Sequence, residues 1–397
     1  MTPSLFESTA RQPARRPPVD TALVDPLRDG RAVRVVLYTS SDCWRGAGIS
    51  YLEIAAALDA SGFAPQVAAT NQAVADEFSA AGLRPAILSP GRGESSRLRA
   101  YLRAQESELV IVDRAHDLRV ATLATLGTRV PVIFRYNHFR ERPPSDALIR
   151  VAYRTTLREQ IFLSSVGREG VLAKTPFMRR VAATTIHEGV DAAAFRPNRR
   201  AATEFRRGAG VGNRPFLLAV GALSPEKRYE VLFSALRLMR HRAPHLVIFG
   251  EGPQERELRV KAAQLRLDVS FLGRVPRAQL VGAYSACSAF VHPGCVETFG
   301  LAVLEAMACA RPVIASAGGA LPEVIGRDGT CGTLVVPNSA WDLAGTIARV
   351  IAEPENAARQ GIRARERASR HFSVASMHRG YAQLAARHTG YRLITGA

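Results

Sequence analysis

Short apolar runs alternate with segments of helical spacing along most of the chain. The run 33–38 (VRVVLY) is broken only by Arg34, the pattern of a strand buried on both faces. Residues 49–60 follow with Leu52, Ala55, Ala56 and Leu58 at helical spacing. Further strands are predicted at 66–70, 86–89, 109–112, 132–136, 161–165 and 182–187, most of them separated by helical segments. A loop rich in Arg, Asn and Pro spans 196–214, and a second alternation follows, with strands at 216–220, 246–249, 269–272, 289–291, 313–315 and 334–336. Repeated β-α-β-α units predict parallel sheets covered by helices. The expected division is therefore an N-terminal domain at 31–200 and a C-terminal domain at 201–375. A helical, arginine-rich stretch covers 355–391, and the tail at 376–397 is free to return to the N-terminal domain. Residues 1–30 are rich in Pro and Arg and lack an apolar period, which reads as a disordered leader without the apolar stretch of a signal peptide.

Composition narrows the picture. Of 397 residues, 47% are hydrophobic and 22% charged, which excludes a fibrous, coiled-coil or mainly disordered chain. No run reaches the ~18 apolar residues of a membrane-spanning helix. Cys43, Cys287, Cys295, Cys309 and Cys331 are odd in number and form no CxxC pair, so neither a disulfide framework nor a structural zinc site is expected, and a reducing cytoplasm fits. The formal charge of +18 favours acidic partners. Only Lys174, Lys227 and Lys261 are lysine, however, and the other 50 basic residues are arginine, so compositional bias explains part of that charge.

The most informative stretch is residues 291–323, VHPGCVETFGLAVLEAMACARPVIASAGGALPE. Thr298-Phe299-Gly300-Leu301 reads as a turn opening a helix, whose free N–H groups and positive dipole end suit a diphosphate. Glu297 stands at its mouth. Glu305 lies two turns on, among Leu301, Val303, Leu304, Ala306, Met307 and Ala308, where a carboxylate is expensive to bury unless bonded. Another candidate is Gly221-Ala222-Leu223-Ser224-Pro225-Glu226-Lys227-Arg228, between a strand and a helix; Lys227 and Arg228 can both bind phosphate. Gly250-Glu251-Gly252-Pro253 and Phe271-Leu272-Gly273-Arg274 are strand-to-helix turns, weak signals alone.

The Glu297-x7-Glu305 pair, with Phe299-Gly300-Leu301 and the downstream Gly318-Gly319 and Glu323, resembles the family 4 retaining glycosyltransferases of the GT-B fold. Glu323 stands one residue later than the family pattern expects. The resemblance implies two Rossmann-like domains with parallel sheets facing a central cleft. It implies transfer of a sugar from a nucleotide-sugar donor to a glycan, lipid or small-molecule acceptor, with retention of configuration, as in cell-envelope polysaccharide biosynthesis. By the same resemblance Glu297 orients the donor sugar, Glu305 holds the ribose, and Lys227 holds the diphosphate. The family arginine before that lysine is absent, since position 222 is Ala, and Arg228 is the candidate replacement. Gly252 and Arg274 would border the base, and Gly46, in the glycine turn after the first strand, would face the donor phosphates.

His138 is expected near the reacting sugar, with Asn137 at the family's usual histidine position; His116 is a weaker candidate. Arg168 occupies a place where the family tends to set acceptor- or phosphate-facing groups. Glu188-Gly189-Val190-Asp191 matches a structural lead into the interdomain linker. His292 reads as structural. Arg135, Arg140, Arg142, Arg150 and Arg154 could form a basic face toward a phospholipid, a polyprenyl phosphate or an anionic glycan, or a merely solvated one. No cofactor and no metal is expected, since the chain has no Asp-x-Asp pair. Peripheral contact with an anionic membrane stays open. A nucleic-acid binder would show basic clusters interleaved with aromatics, and aromatic content is 7%. A catalytically inactive GT-B protein acting as a binding partner is the alternative.

Overall fold

The computed structural model describes residues 23–24, 31–44, 46–137, 145–391 and 393–394. Most of the expected leader therefore lies outside the described residues; its Leu23–Val24 pairs antiparallel with Leu393–Ile394. The chain divides into two compact units. Among the described residues, the first comprises those up to Gly189 and those from Val374; the second is Val190–Ser373. The division falls ahead of the boundary expected near residue 200.

In the first unit, seven parallel strands form one sheet: β1 (Arg34–Thr39), β2 (Ala64–Ala69), β3 (Ala86–Ile87), β4 (Leu109–Val112), β5 (Val132–Tyr136), β6 (Leu157–Phe162) and β7 (Ala182–Thr185). Their order is β3-β2-β1-β4-β5-β6-β7. In the second unit, β8 (Phe216–Val220), β9 (His245–Phe249), β10 (Val269–Phe271), β11 (Ala289–His292), β12 (Val313–Ser316) and β13 (Thr333–Val335) are also all parallel, in the order β10-β9-β8-β11-β12-β13. Both sheets grow outward from their first strand, then reverse. The reversals lie between β1 and β4 and between β8 and β11. In open α/β sheets, ligands bind beyond the carboxyl ends of the strands at such a reversal.

Burial explains the apolar runs. Every residue of β4, β9, β11 and β12 is buried, as it must be in a sheet covered on both faces. The first sheet carries one cluster on each face, one around Val110, Phe134 and Leu118, the other around Leu37, Ile111 and Tyr51.

The expected glycine turn at Gly46-Ala47-Gly48 is instead the first turn of helix α1 (Gly46–Ala60). Gly46 O accepts from Ser50 Oγ at 2.9 Å, and a Cβ on Gly48 would lie 2.6 Å from the Trp44 ring, so glycine there makes room for the indole. The expected C-terminal helical stretch is two helices, α2 (Pro354–His371) and α3 (Val374–Thr389). They part where Ser373 forms a lone parallel bridge with Val190. Helix α3 then packs on α1 in the first unit: Met377, Tyr381 and Leu384 share a cluster with Tyr51, Ile54 and Leu58. A buried His378–Glu53 contact of 3.3 Å lies on the same seam.

Candidate functional site

The second unit gathers its chemistry at the carboxyl ends of β8 and β11. After β8 the chain turns at Gly221, makes a short 3-10 turn over Pro225–Lys227, and enters a helix at Tyr229. After β11 it runs from His292 to Gly300, which caps the helix Leu301–Ala308 with φ 101°. The two loops meet side chain to side chain. Lys227 Nζ donates to Glu297 Oε2 at 2.6 Å, and His292 Nε2 lies 3.2 Å from the same oxygen. Glycines permit the approach. A Cβ on Gly294 would come within 2.9 Å of Glu226 O, and one on Gly319 within 2.2 Å of Glu297 O. A Cβ on Gly318 would sit 2.3 Å from Cys295 O. The Gly-Gly pair thus lets the loop after β12 lie flat under the Glu297 loop, where Ala320 N donates to Glu297 O at 2.9 Å.

Gly319 also adopts φ 55°, a left-handed backbone that an L side chain resists. Gly319→Ala is expected to lower stability by about 1–2 kcal/mol, or ~3–6 °C in a thermal melt, by pushing the Glu297 loop away. An unchanged melting temperature would contradict this.

Burial works against the charge on Glu297, but Lys227 and His292 outweigh it and hold the carboxyl far below its usual range. His292 moves the other way: burial lowers its pKa, Lys227 adds to the effect, and Glu297 opposes it. A depressed carboxyl pKa contributes stability that is present above the unfolded value and lost as pH falls through the folded one. Acidification below the ordinary glutamate value of 4.5 should therefore destabilise the wild type more steeply than Glu297→Gln. Denaturant titrations between about pH 5 and pH 2 test this, and parallel slopes would refute it.

The remaining predicted residues of this unit are placed as follows. Arg228 is exposed, in a left-handed conformation with φ 52°. Gly252 packs on backbone: its Cβ would meet Leu223 O at 2.4 Å, and Leu223 N donates to Glu251 O at 2.9 Å. Its requirement for glycine thus comes from this contact between loops. Arg274 is exposed, with its N–H 3.4 Å from Glu251 Oε1. The Phe299 ring is buried edge-on against Phe372, with ring centres 5.5 Å apart. Leu301 is half-buried at the first position of its helix. Glu305 is buried and doubly bonded: Arg277 Nε donates to one oxygen, and Tyr284 OH to the other at 2.8 Å. Arg277 is itself stacked over Phe195 at 4.9 Å.

In the first unit, His138, Arg140 and Arg142 lie outside the described residues. His116 Nε2 sits 3.0 Å from Glu94 Oε1, and Arg168 is half-buried, 3.9 Å from Glu169. Arg150 lies over the Phe177 ring at 5.0 Å. One expectation is corrected: Arg135 belongs to no surface face. It is fully buried, donates to Glu188 and to Tyr381 OH (3.1 Å), and stands 3.9 Å from Asp113. Its charge is consumed inside the unit because Glu188 is buried with it and is also bonded by Ser50 Oγ at 2.8 Å.

Sequence reasoning missed His292, Asp113 and Asp117. The two aspartates follow the wholly apolar β4 at i and i+4, spaced to share one side of the helical turn they enter. That spacing was the available signal. Both are buried at the reversal point of the first sheet.

Residues 202–367, within the second unit, match the family model described as glycosyl transferases group 1. A GDP-mannose-dependent alpha-(1-6)-phosphatidylinositol monomannoside mannosyltransferase of Mycolicibacterium smegmatis is 32% identical over 198 residues, covering 47% of this chain and 50% of the relative. A D-inositol 3-phosphate glycosyltransferase of Saccharomonospora viridis is 36% identical over 203 residues, covering 48% of this chain and 46% of the relative. The chain spans about half the length of these curated relatives. In fold, Alr3699/HepE of Anabaena, crystallised with UDP-glucose, aligns with a TM-score of 0.78 at 21% identity, over 89% of this chain and 99% of HepE. The fold is that of the GT-B glycosyltransferases, α/β with two Rossmann-like units.

Proposed function

We propose that this protein is a retaining glycosyltransferase that moves a sugar from a nucleotide-sugar donor to a hydroxyl-bearing acceptor without a metal ion. The observation that carries the reading is the Lys227–Glu297–His292 cluster at the reversal point of the second sheet, inside the segment that matches group 1 glycosyl transferases. The leaving group is a nucleoside diphosphate, whose growing negative charge needs fixed positive partners. Lys227 is one, Arg228 another, and the unpaired N–H groups opening the helix Leu301–Ala308 a third.

In the free protein Lys227 neutralises Glu297. An arriving diphosphate competes for the ammonium and leaves the Glu297 carboxylate, still ionised, to accept from donor-sugar hydroxyls. Glu305 serves the ribose with the lone pairs that Arg277 and Tyr284 leave open, since a carboxylate accepts about four hydrogen bonds. The backbone near Arg274 borders the base. No side chain is assigned as nucleophile. Attack on the same face as departure, with the phosphate receiving the acceptor proton, accounts for retention. A named relative uses GDP-mannose and a structural neighbour was crystallised with UDP-glucose, so the donor nucleotide is the first quantity to determine. The charge of +18 favours peripheral contact with an anionic membrane at the cytoplasmic face.

The test is a thermal-shift screen against UDP-, GDP-, ADP- and TDP-sugars in EDTA, repeated with Glu305→Ala. One nucleotide class should raise the melting temperature of the wild type only. NMR of the transferred sugar should show the donor's anomeric configuration in the product. No shift and no release of nucleotide with any donor would overturn the reading.

A further inference from the structure

The first unit holds a second built site, at the reversal between β1 and β4. A small pocket there is lined by Thr39, Ser41, Trp44, Tyr51, Phe78 and Asp113, together with the first turn of α1. Its enclosed volume of about 10 Å³ has room for one water-sized group. Asp113 is 2% exposed. Its Oδ2 accepts from Asn137 Nδ2 at 2.8 Å, while Oδ1 receives no N–H or O–H from the described residues beyond its link to Asp117. Asp117 is fully buried and accepts from Ser40 Oγ and Ser40 N on Oδ1, and among the described residues its Oδ2 has no donor beyond the link to Asp113.

Neither nearby arginine donates a hydrogen bond to these carboxyls, although Arg135 Nη1 stands 3.9 Å from Asp113 Oδ2. Arg135 bonds Glu188, and Arg114 bonds Ser40 O at 3.0 Å and lies 3.8 Å from Asp42. Burial pushes the Asp113 carboxyl up to about 6 against the pull of Arg135 and Arg114, and burial and the neighbouring Asp113 raise Asp117 above its ordinary value. Two carboxyls buried side by side favour one shared proton over two negative charges. Such a pair both donates and accepts, which matches an alcohol and repels a phosphate.

We infer that this pocket seats a single hydroxyl of an uncharged polyol or pyranose ring, with the ring against the Trp44 edge and the hydroxyl on Asp113. The inference deepens the glycosyltransferase reading by naming its acceptor class, an unphosphorylated hydroxyl at this point of contact. It places no phosphate-binding role on the first unit's buried arginine.

Saturation-transfer NMR on the full chain tests it without any donor present. The probes are methyl α-D-mannopyranoside, methyl α-D-glucopyranoside and myo-inositol, each compared with a phosphorylated counterpart. At least one neutral ring should give a signal at millimolar concentration that its phosphorylated counterpart gives at least about tenfold more weakly. Asp113→Ala and, separately, Ala47→Leu, which adds bulk at a lining position of the pocket, should each weaken that signal about tenfold or more. If Asp113→Ala does not fold, Ala47→Leu decides. Absence of signal from all neutral rings, equal or stronger binding of the phosphorylated forms, or survival of the signal in the folded variants overturns the inference. The nucleotide-sugar thermal shift is run on the same samples. Its loss alone indicts the glycosyltransferase reading; its persistence without ring binding indicts only this pocket.

Discussion

Lys227→Ala should reduce kcat/KM for sugar transfer on the order of 10²–10³-fold, the usual loss when one pre-placed donor to a developing anion is removed. Two effects combine. The variant withdraws the cation that faces the diphosphate, and it removes the partner that holds Glu297 ionised. With burial then opposed only by His292, the Glu297 carboxyl rises toward its normal range. The acid limb of the pH–rate profile should consequently move to higher pH in the variant, which loss of phosphate binding alone does not require. Arg228→Ala should lose only about tenfold, since that guanidinium is exposed and screened by solvent. Steady-state kinetics with the donor found in the thermal screen checks both. A Lys227→Ala enzyme within about fivefold of wild type would move the charge-stabilising role away from the β8 loop.

The legible part of this protein was the part written in local pattern. Strands buried on both faces become unbroken apolar runs, so β1, β4, β5, β8 and β9 stood out in the sequence, and so did the repetition of the α/β unit. Lys227 and Glu297 were also legible, because each sits within a turn of a strand end and the turn residues around them are glycines. The reason for those glycines was not legible. Gly318 and Gly319 serve a contact with Cys295 and Glu297, and Gly252 one with Leu223, and such contacts exist only once the sheet is assembled. His292 failed for a similar cause: a histidine ending an apolar strand looks structural until a carboxylate five residues on folds back over it. Arg135 misled because strand alternation says nothing about a charge whose partners, Glu188 and Tyr381, lie far along the chain. Likewise, Asp113 and Asp117 gain meaning only from burial.

Arg135→Met should remove about 3–5 kcal/mol from the stability of the first unit, because Glu188 stays behind as a buried charge with Ser50 as its remaining polar partner. The ion pair itself contributes far less than this, since much of its attraction offsets desolvation. The double variant Arg135→Met/Glu188→Leu should therefore recover to within about 1–2 kcal/mol of wild type, giving a strongly non-additive cycle. Asp113 loses its nearest counter-charge in both variants and takes up a proton instead. The two tryptophans allow the first unit to be read separately. Trp44 packs edge-on against Phe78 in that unit, with ring centres 4.9 Å apart, whereas Trp341 is 78% exposed in the second. Urea titration of a Trp341→Phe background, followed by Trp44 fluorescence, reports the first unit alone. Should the single and double variants prove equally unstable, Arg135 is held for its packing against α3, where it meets Tyr381, and the charge pair is incidental.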